Sequence, residues 1–211
     1  MVPARVTVMR AIYGIVAEMR FYSLAMAAAM LAVMAGPTHA ADESIKEKAA
    51  QCTPCHGETG LSETENTPSL AAQPDQYLQW QLVFFRSGSR KNEVMQPIAE
   101  QVNNEDIRNL SAYFASLASP KASTPDDNPD LSKKGAQAAV GRRCASCHGD
   151  TFAGTKAVAR LAGQREDYLI KALHDYKSNV RVGGGVAAMA DVTYSLSDEE
   201  IEALAHYLAH L

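Results

Sequence analysis

The four cysteines of the chain fall into two short motifs in which a histidine directly follows the second cysteine. The motifs are Cys52-Thr53-Pro54-Cys55-His56 and Cys144-Ala145-Ser146-Cys147-His148, and the chain contains no other cysteine. Two cysteines three residues apart can form thioethers with the two vinyl groups of one porphyrin, and the adjacent histidine can then bind its iron. We therefore predict that both cysteines of each motif attach a haem c and that His56 and His148 bind the two irons.

Two other kinds of site use the same cysteine spacing. A dithiol redox pair belongs in a β-α-β fold, and no strict alternation of apolar and polar residues predicts strands here. A zinc site could take four thiolates from the two motifs, but each cysteine pair lies in its own repeat with its own histidine. The duplicated motif therefore favours haem.

Residues 1–40 differ in composition from the rest of the chain. Basic residues precede an apolar, alanine-rich run at 21–35, and the small residues of Thr38-His39-Ala40 follow it. This order is typical of a cleaved signal peptide, which predicts export and a periplasmic location. The apolar run is shorter than the roughly 20 residues of a membrane span, and an uncleaved anchor is the alternative.

The charge of the remaining residues is uneven. Residues 41–211 contain 17 Lys+Arg and 23 Asp+Glu, and the excess of acid lies in residues 41–119. No basic stripe predicts a nucleic-acid partner. Charge asymmetry of this kind affects docking and association rates rather than the fold.

An internal repeat covers nearly all of residues 41–211. Leu70-Ala71-Ala72-Gln73 corresponds to Leu161-Ala162-Gly163-Gln164 at an offset of 91 residues, and the final apolar stripes correspond at an offset of 94. The offset changes by three residues between these two blocks, where the second copy has three glycines at 183–185 that the first copy lacks. The repeat predicts two domains, at residues 41–119 and 131–211, joined by a proline-containing linker at 120–130.

Each copy of the repeat has the apolar periodicity of helices, which predicts an all-α fold. The first helices are predicted at Ser44–Gln51 and Ser132–Arg143, with Ser132 as an N-cap. The later helices are predicted to start near Pro74 and Arg165 and, for the last helix of each copy, after the caps Asn103 and Ser197. Three short helices bury little surface, and a haem between them would supply apolar mass to each domain.

Methionine is the candidate for the second axial ligand. Six of the eight methionines lie in residues 1–34, so only Met95 and Met189 follow the motifs, 39 and 41 residues after the respective histidines. A lone methionine usually fills a core, but this matched placement favours thioether ligation of haem iron. Both methionines are expected in loops before the last helix. The remaining histidines of the second copy are expected to be solvated or helix-end residues rather than ligands; they are His174, His206 and His210.

These motifs, each followed by a glycine, and the two Leu-Ala-x-Gln blocks make the chain resemble dihaem class I cytochromes c of the cytochrome c4 family. The resemblance implies two tandem class I cytochrome c domains, each wrapped around one covalently attached haem, with the two haems facing each other. It also implies that a proline carbonyl before the Leu-Ala block accepts a hydrogen bond from the proximal histidine. Pro68 fits that position, but Ala159 replaces it in the second copy, so we expect unequal haem environments.

Histidine and methionine together fill the axial positions of haem iron, which predicts an electron carrier rather than an enzyme. The resemblance implies a donor such as a quinol-oxidising cytochrome complex and an acceptor such as a terminal oxidase or reductase, and it is compatible with peripheral membrane association. One alternative is the dihaem subunit of a redox enzyme, such as a sulfide-oxidising flavocytochrome. The other is a dihaem peroxidase, which needs an iron with an open sixth position.

Overall fold

A computed structural model describes residues 38–121, 125–182 and 187–211 of the chain. The predicted signal peptide falls outside these residues except for its last three positions, and the glycines at 183–185 also lie outside them. Within the described ranges all regular structure is helical, apart from one isolated bridge between Thr155 and Val158. The all-α fold class is confirmed. None of the helices in these ranges has the length and apolar character needed to cross a membrane.

The described helices follow the same order in both copies of the repeat. Those of the first copy are α1 (Thr38–Ala49), α2 (Thr53–His56), α3 (Asp75–Arg86), α4 (Met95–Glu100) and α5 (Asn104–Ser116). Those of the second copy are α6 (Pro129–Gly141), α7 (Ala145–His148), α8 (Glu166–Lys177), α9 (Ala187–Tyr194) and α10 (Asp198–Ala209). Residues 45–211 form one compact unit that contains both cysteine motifs.

The first helix of the second copy begins earlier than predicted. The Asn128 side chain caps α6 by accepting a hydrogen bond of 3.2 Å from the backbone N–H of Leu131. Pro129 takes the first helical position, where its missing N–H removes no helical hydrogen bond. The prediction of Ser132 as the N-cap was wrong, because Asn128 and Pro129 together start the helix one turn upstream.

The last helix of each copy begins with a capping box at the predicted cap. The side chain of the cap residue accepts a hydrogen bond from the backbone N–H three residues later. The acidic side chain at that later position, Asp106 in α5 or Glu200 in α10, accepts a hydrogen bond from the backbone N–H of the cap residue. The same acids pair with bases at the end of the first helix, Asp106 with Lys48 and Glu200 with Arg142. Each acid therefore ties the first helix of its copy to the last. The caps are Asn103 and Ser197.

The apolar cores lie where the long helices of each copy meet. In the second copy α6 crosses α10 closely, because Gly135 faces the backbone of Ala203 and leaves no room for a side chain. The buried core residues of the second copy are Ala139, Phe152, Ala162, Leu169, Leu196, Ile201, Leu204, Ala205 and Leu208. In the first copy Ala49, Leu78, Leu110 and Phe114 form a smaller cluster, and Phe85 and Ile107 are buried outside it. A small protein core of this kind gains most from an additional apolar group.

Candidate functional site

Each cysteine motif forms a single helical turn, α2 or α7. The backbone N–H of His56 donates to the Cys52 carbonyl at 2.9 Å, and that of His148 donates to the Cys144 carbonyl at 3.1 Å. The glycine after each histidine has a φ of +81°, which turns the chain away from the helix. In each motif the first cysteine is half-buried, the second is exposed, and neither forms a disulfide. All four sulfur atoms are thus available to an external group.

The histidine of each motif is held by one hydrogen bond to a backbone carbonyl. His56 Nδ1 donates to the Pro68 carbonyl oxygen and His148 Nδ1 to the Ala159 carbonyl oxygen, both at 2.8 Å. The change from proline to alanine therefore leaves the length of this bond unaltered. Burial lowers the pKa of both imidazoles, while the carbonyl bond acts in the opposite direction. With the proton on Nδ1, each ring keeps its Nε2 lone pair for a metal ion.

Met95 and Met189 are half-buried and lie on short helices, so the prediction that both lie in loops was wrong. Met95 is the first residue of α4, and the side chain of Asn92 accepts its backbone N–H at 2.8 Å. Met189 is the third residue of α9, whose alanines favour helix. The two methionines therefore sit at corresponding places, on the short helix that precedes the last helix of each copy.

A cleft in the second copy brings His148 and Met189 together. It encloses about 600 Å³ of space that is partly open to solvent, and most of its wall is apolar. Its apolar wall includes Leu161, Leu169, Ala172, Leu173 and Leu208. Pro68, Gln73 and Tyr77 of the first copy contribute to the wall as well. An apolar cleft that presents one imidazole and one thioether fits a haem group.

A buried arginine at the same cleft supports this fit. Arg181 is 5% exposed, and its guanidinium lies 4.6 Å from the ring centre of Tyr176. It pairs with no carboxylate among the described residues, and its Nε has no hydrogen-bond partner there. A buried cation is costly unless an anion accompanies it. The propionate groups of a haem are anions of the required kind.

The arginine and its neighbours recur in the first copy at an offset of 91 residues. The guanidinium of Arg90 lies 4.4 Å from the ring centre of Phe85. Arg90 donates to the hydroxyl of Tyr168 at 3.3 Å, and Arg181 donates to that of Tyr77 at 3.1 Å, so each arginine bonds to the other copy. This arginine pair was not predicted from the sequence, although the alignment of the repeat at that offset could have identified it.

The glutamines of the two Leu-Ala-x-Gln blocks also cross between the copies. The side-chain amide of Gln73 makes two hydrogen bonds of 2.9 Å to the backbone of Arg160. The side-chain amide of Gln164 makes bonds of 2.8 and 2.9 Å to the backbone of Ser69. Both glutamines are buried. The alignment showed that these glutamines repeat, but it gave no reason to assign them a role.

His206 was expected to be a solvated or helix-end residue, and it lies in the last turn of α10 but is buried rather than solvated. It is 4% exposed, with Nδ1 3.2 Å from the Glu166 carboxylate and Nε2 3.0 Å from that of Asp126. Burial by itself would lower the pKa of His206, but the two carboxylates outweigh burial and raise it. His206 thereby fastens a residue of the predicted linker to α10. His174 and His210 are half-buried, and His210 Nδ1 donates to the His206 carbonyl at 2.8 Å.

The chain is similar to known proteins in sequence and in fold. Residues 132–211 match the family described as cytochrome c. The chain is 30% identical to cytochrome c4 of Pseudomonas aeruginosa, over 84% of this chain and 93% of the relative. It is also 30% identical to a thiosulfate dehydrogenase electron acceptor of Thiomonas intermedia, over 77% of this chain and 79% of the relative. The crystal structure of reduced recombinant cytochrome c4 from Pseudomonas stutzeri superposes with a TM-score of 0.72 at 29% identity, covering 80% of this chain and 97% of that chain.

Fold, motifs and relatives together define a protein with two tandem class I cytochrome c domains, here called the first and second domain. The chain belongs to the cytochrome c4 family. It is an electron-transfer cytochrome with two covalently bound haem c groups, and its partners are redox proteins.

Proposed function

We propose that the protein carries single electrons in the periplasm and that both of its irons are closed to substrates. In this proposal Cys52 and Cys55 attach the first haem and Cys144 and Cys147 the second. His56 and Met95 bind the first iron, and His148 and Met189 bind the second. The observation that carries the proposal is the cleft that His148 and Met189 line together, with the Nδ1 atom of His148 already bonded to a carbonyl.

The haem, when bound, supplies a one-electron iron couple whose potential is high when methionine is an axial ligand. The residues of this chain orient and enclose it. The bonds from His56 to Pro68 and from His148 to Ala159 fix the plane of each imidazole and increase its basicity. The apolar wall of the cleft would shield a bound haem from water on that side, and Arg181 supplies a buried positive charge.

The periplasmic location rests on the signal-like composition of residues 1–40. We propose domain bounds at 41–119 and 131–211 with a linker at 120–130. The last two residues of this linker already belong to α6, which starts at Pro129. The donor we propose is a quinol-oxidising cytochrome complex, and the acceptor is a terminal oxidase or reductase. The acidic first domain supports docking to a basic surface on one of these partners.

A second candidate function follows from one of the relatives. That relative is named as an electron acceptor of thiosulfate dehydrogenase, and its similarity extends over both domains. In that case electrons would enter from a sulfur-oxidising dehydrogenase instead of a quinol-oxidising complex. The same chemistry at the two irons serves both functions. It would also serve in the dihaem subunit of a sulfide-oxidising flavocytochrome.

Purification of the native protein from a periplasmic extract tests these proposals. We expect a free dihaem protein that takes up two electrons and that is reduced by a membrane fraction supplied with quinol. Rapid reduction by a purified thiosulfate dehydrogenase and its substrate, with no reduction by the membrane fraction, would favour the second candidate. A flavoprotein that co-purifies in a one-to-one ratio would overturn the free carrier. Recovery of the protein only from the cytoplasmic fraction would overturn the location.

A further inference from the structure

The carbonyl that holds each proximal histidine belongs to a peptide group that also faces the other domain. His56 donates to the oxygen of the Pro68–Ser69 peptide, and the N–H of the same peptide donates to Gln164 Oε1 at 2.8 Å. Gln164 Nε2 donates in turn to the Ser69 carbonyl oxygen at 2.9 Å. A continuous chain of hydrogen bonds therefore runs from the imidazole of the first domain to a side chain of the second.

The same chain exists in the opposite direction. His148 donates to the oxygen of the Ala159–Arg160 peptide, and the N–H of that peptide donates to Gln73 Oε1 at 2.9 Å. Gln73 Nε2 donates to the Arg160 carbonyl oxygen at 2.9 Å. The peptides and glutamines of the two hydrogen-bond chains correspond at an offset of 91 residues, and the two histidines at an offset of 92.

We propose that Gln73 and Gln164 are positioning residues that set the reduction potential of the haem in the opposite domain by holding the peptide that binds its proximal histidine. The proposal rests on the proposed function, in which those histidines bind iron. It assigns each haem a determinant that lies outside its own domain.

The physical reason is the polarisation of a shared peptide. Hydrogen bonds in series strengthen one another, so a peptide whose N–H is bonded is a better acceptor at its oxygen. A stronger bond from Nδ1–H gives the imidazole more electron density, which stabilises the oxidised iron and lowers its potential. Both glutamines are at most 4% exposed, so water does not replace them in the folded protein. Removal of either glutamine should therefore weaken the bond at the opposite histidine and raise the potential of that haem.

The test is a pair of matched variants, Gln73→Leu and Gln164→Leu, in the full dihaem protein. Each removes the two hydrogen bonds that one glutamine makes to the opposite domain and keeps a side chain of similar bulk; Gln164→Leu also removes the acceptor of the Arg165 backbone N–H within its own domain. Asp167→Ala is the control, because Asp167 accepts the backbone N–H of Asn66 at 2.7 Å and so crosses between the domains without reaching either peptide. Gln73→Asn and Gln164→Asn keep an amide that is too short for both bonds, and they replace the leucine variants if those fail to fold.

The readout is a redox titration followed by NMR of protein labelled with ¹³C at the methionine methyl groups. The signals of Met95 and Met189 report the two haems separately, and each is assigned by its loss in the Met95→Leu or Met189→Leu protein. In the parent, two signals that change with oxidation show that the proposed ligands are in place. If neither signal changes in the parent, the proposed function fails, and the glutamines are not the cause.

A crossed pattern supports the proposal. Gln164→Leu should shift the first-domain titration toward reduction by about two- to fivefold in the equilibrium constant, or about 20–40 mV. Gln73→Leu should do the same for the second domain, and Asp167→Ala should shift neither by a comparable amount. The proposal is overturned if each glutamine variant moves the haem of its own domain, if it moves both haems by equal amounts, or if it moves neither.

Discussion

The guanidinium of Arg181 in the second domain donates a hydrogen bond of 3.1 Å to the hydroxyl of Tyr77 in the first domain. Arg181 also donates to Gln81 Oε1 at 2.8 Å, and Arg90 reaches the same oxygen at 2.6 Å. Two arginines thus converge on one neutral side chain between the domains. A positive charge enclosed in this way acts on its surroundings more strongly than a charge on the surface.

Replacement of Arg181 should lower the potential of the second-domain haem. A buried positive charge favours the reduced iron, which carries one positive charge fewer than the oxidised iron, so Arg181→Leu favours oxidation. We expect a change of about tenfold in the one-electron equilibrium constant, or about 59 mV, in a potentiometric titration.

Lys177→Leu is the matched control, because Lys177 is a cation of the same domain that pairs with Asp198 at the surface. Solvent screens such a charge, and its loss should change the potential by only a few millivolts. Equal shifts in the two variants would show that Arg181 has no special position relative to the haem.

Substitution of each methionine should affect one haem only. Met189→Leu removes the thioether near His148, so the absorption band of methionine-ligated ferric haem should fall to about half and the potential of that haem should drop. Met95→Leu is the matched variant, and it should remove the other half of this absorption band. An unchanged spectrum in either protein would contradict the assignment of that methionine as an axial ligand.

The glycines after the proximal histidines should differ in tolerance to alanine. Both have a φ of +81°, where alanine is strained by about 1 kcal/mol. At Gly57 an added Cβ would also overlap the Leu61 carbonyl, whereas at Gly149 the nearest atom is Thr155 Cγ2 at 3.8 Å. Gly57→Ala should therefore lower the thermal midpoint further than Gly149→Ala does, as followed by circular dichroism. Equal losses would indicate that strain alone decides the effect.

The ion pairs of His206 should make the stability of the second domain depend on pH. Glu166 and Asp126 raise the pKa of His206 against the effect of burial; Asp127 lies 4.0 Å away, and the ring centre of His210 lies 4.3 Å away. A raised pKa in the folded state means that the stabilisation is complete below about pH 6.5, the ordinary value for histidine. It is lost as the pH rises through the raised value.

The measurement is the thermal midpoint of the parent and of His206→Gln between pH 5.5 and 8.5. Below pH 6.5 the thermal midpoint of the parent should exceed that of His206→Gln by several degrees, which corresponds to about 1 kcal/mol. This difference should shrink as the pH rises. His174→Gln is the control, because His174 forms no ion pair within the described part of the chain. A difference that grows with pH would show that His206 is neutral in the folded protein.

Local signals in the sequence predicted local structure well. Asn103 and Ser197 cap the last helices because the residues three positions on, Asp106 and Glu200, complete the bond within one turn. Ser132 failed as a cap because Asn128 and its neighbour Pro129 compete for the same helix start. Caps of this kind depend on a few adjacent residues, so the sequence contains nearly all of the relevant information.

Contacts between the domains could not be predicted in the same way. The bond from Gln164 to Ser69 joins residues 95 positions apart, and only the packed structure brings them within reach. The contacts of His206 are also between segments distant in sequence, since its partners Asp126 and Glu166 come from the linker and from another helix. The repeat did show that Gln73 and Gln164 correspond, but a correspondence in sequence does not state what a side chain touches.

Binding of carbon monoxide shows whether both irons are closed by protein ligands. The reduced dihaem protein is placed under carbon monoxide at neutral pH and its visible spectrum is recorded over time. We expect no spectral change at either haem, because an iron bound by histidine and methionine has no free position. Formation of a carbonyl adduct at one or both haems in the unmodified protein would contradict the account and favour a catalytic dihaem protein.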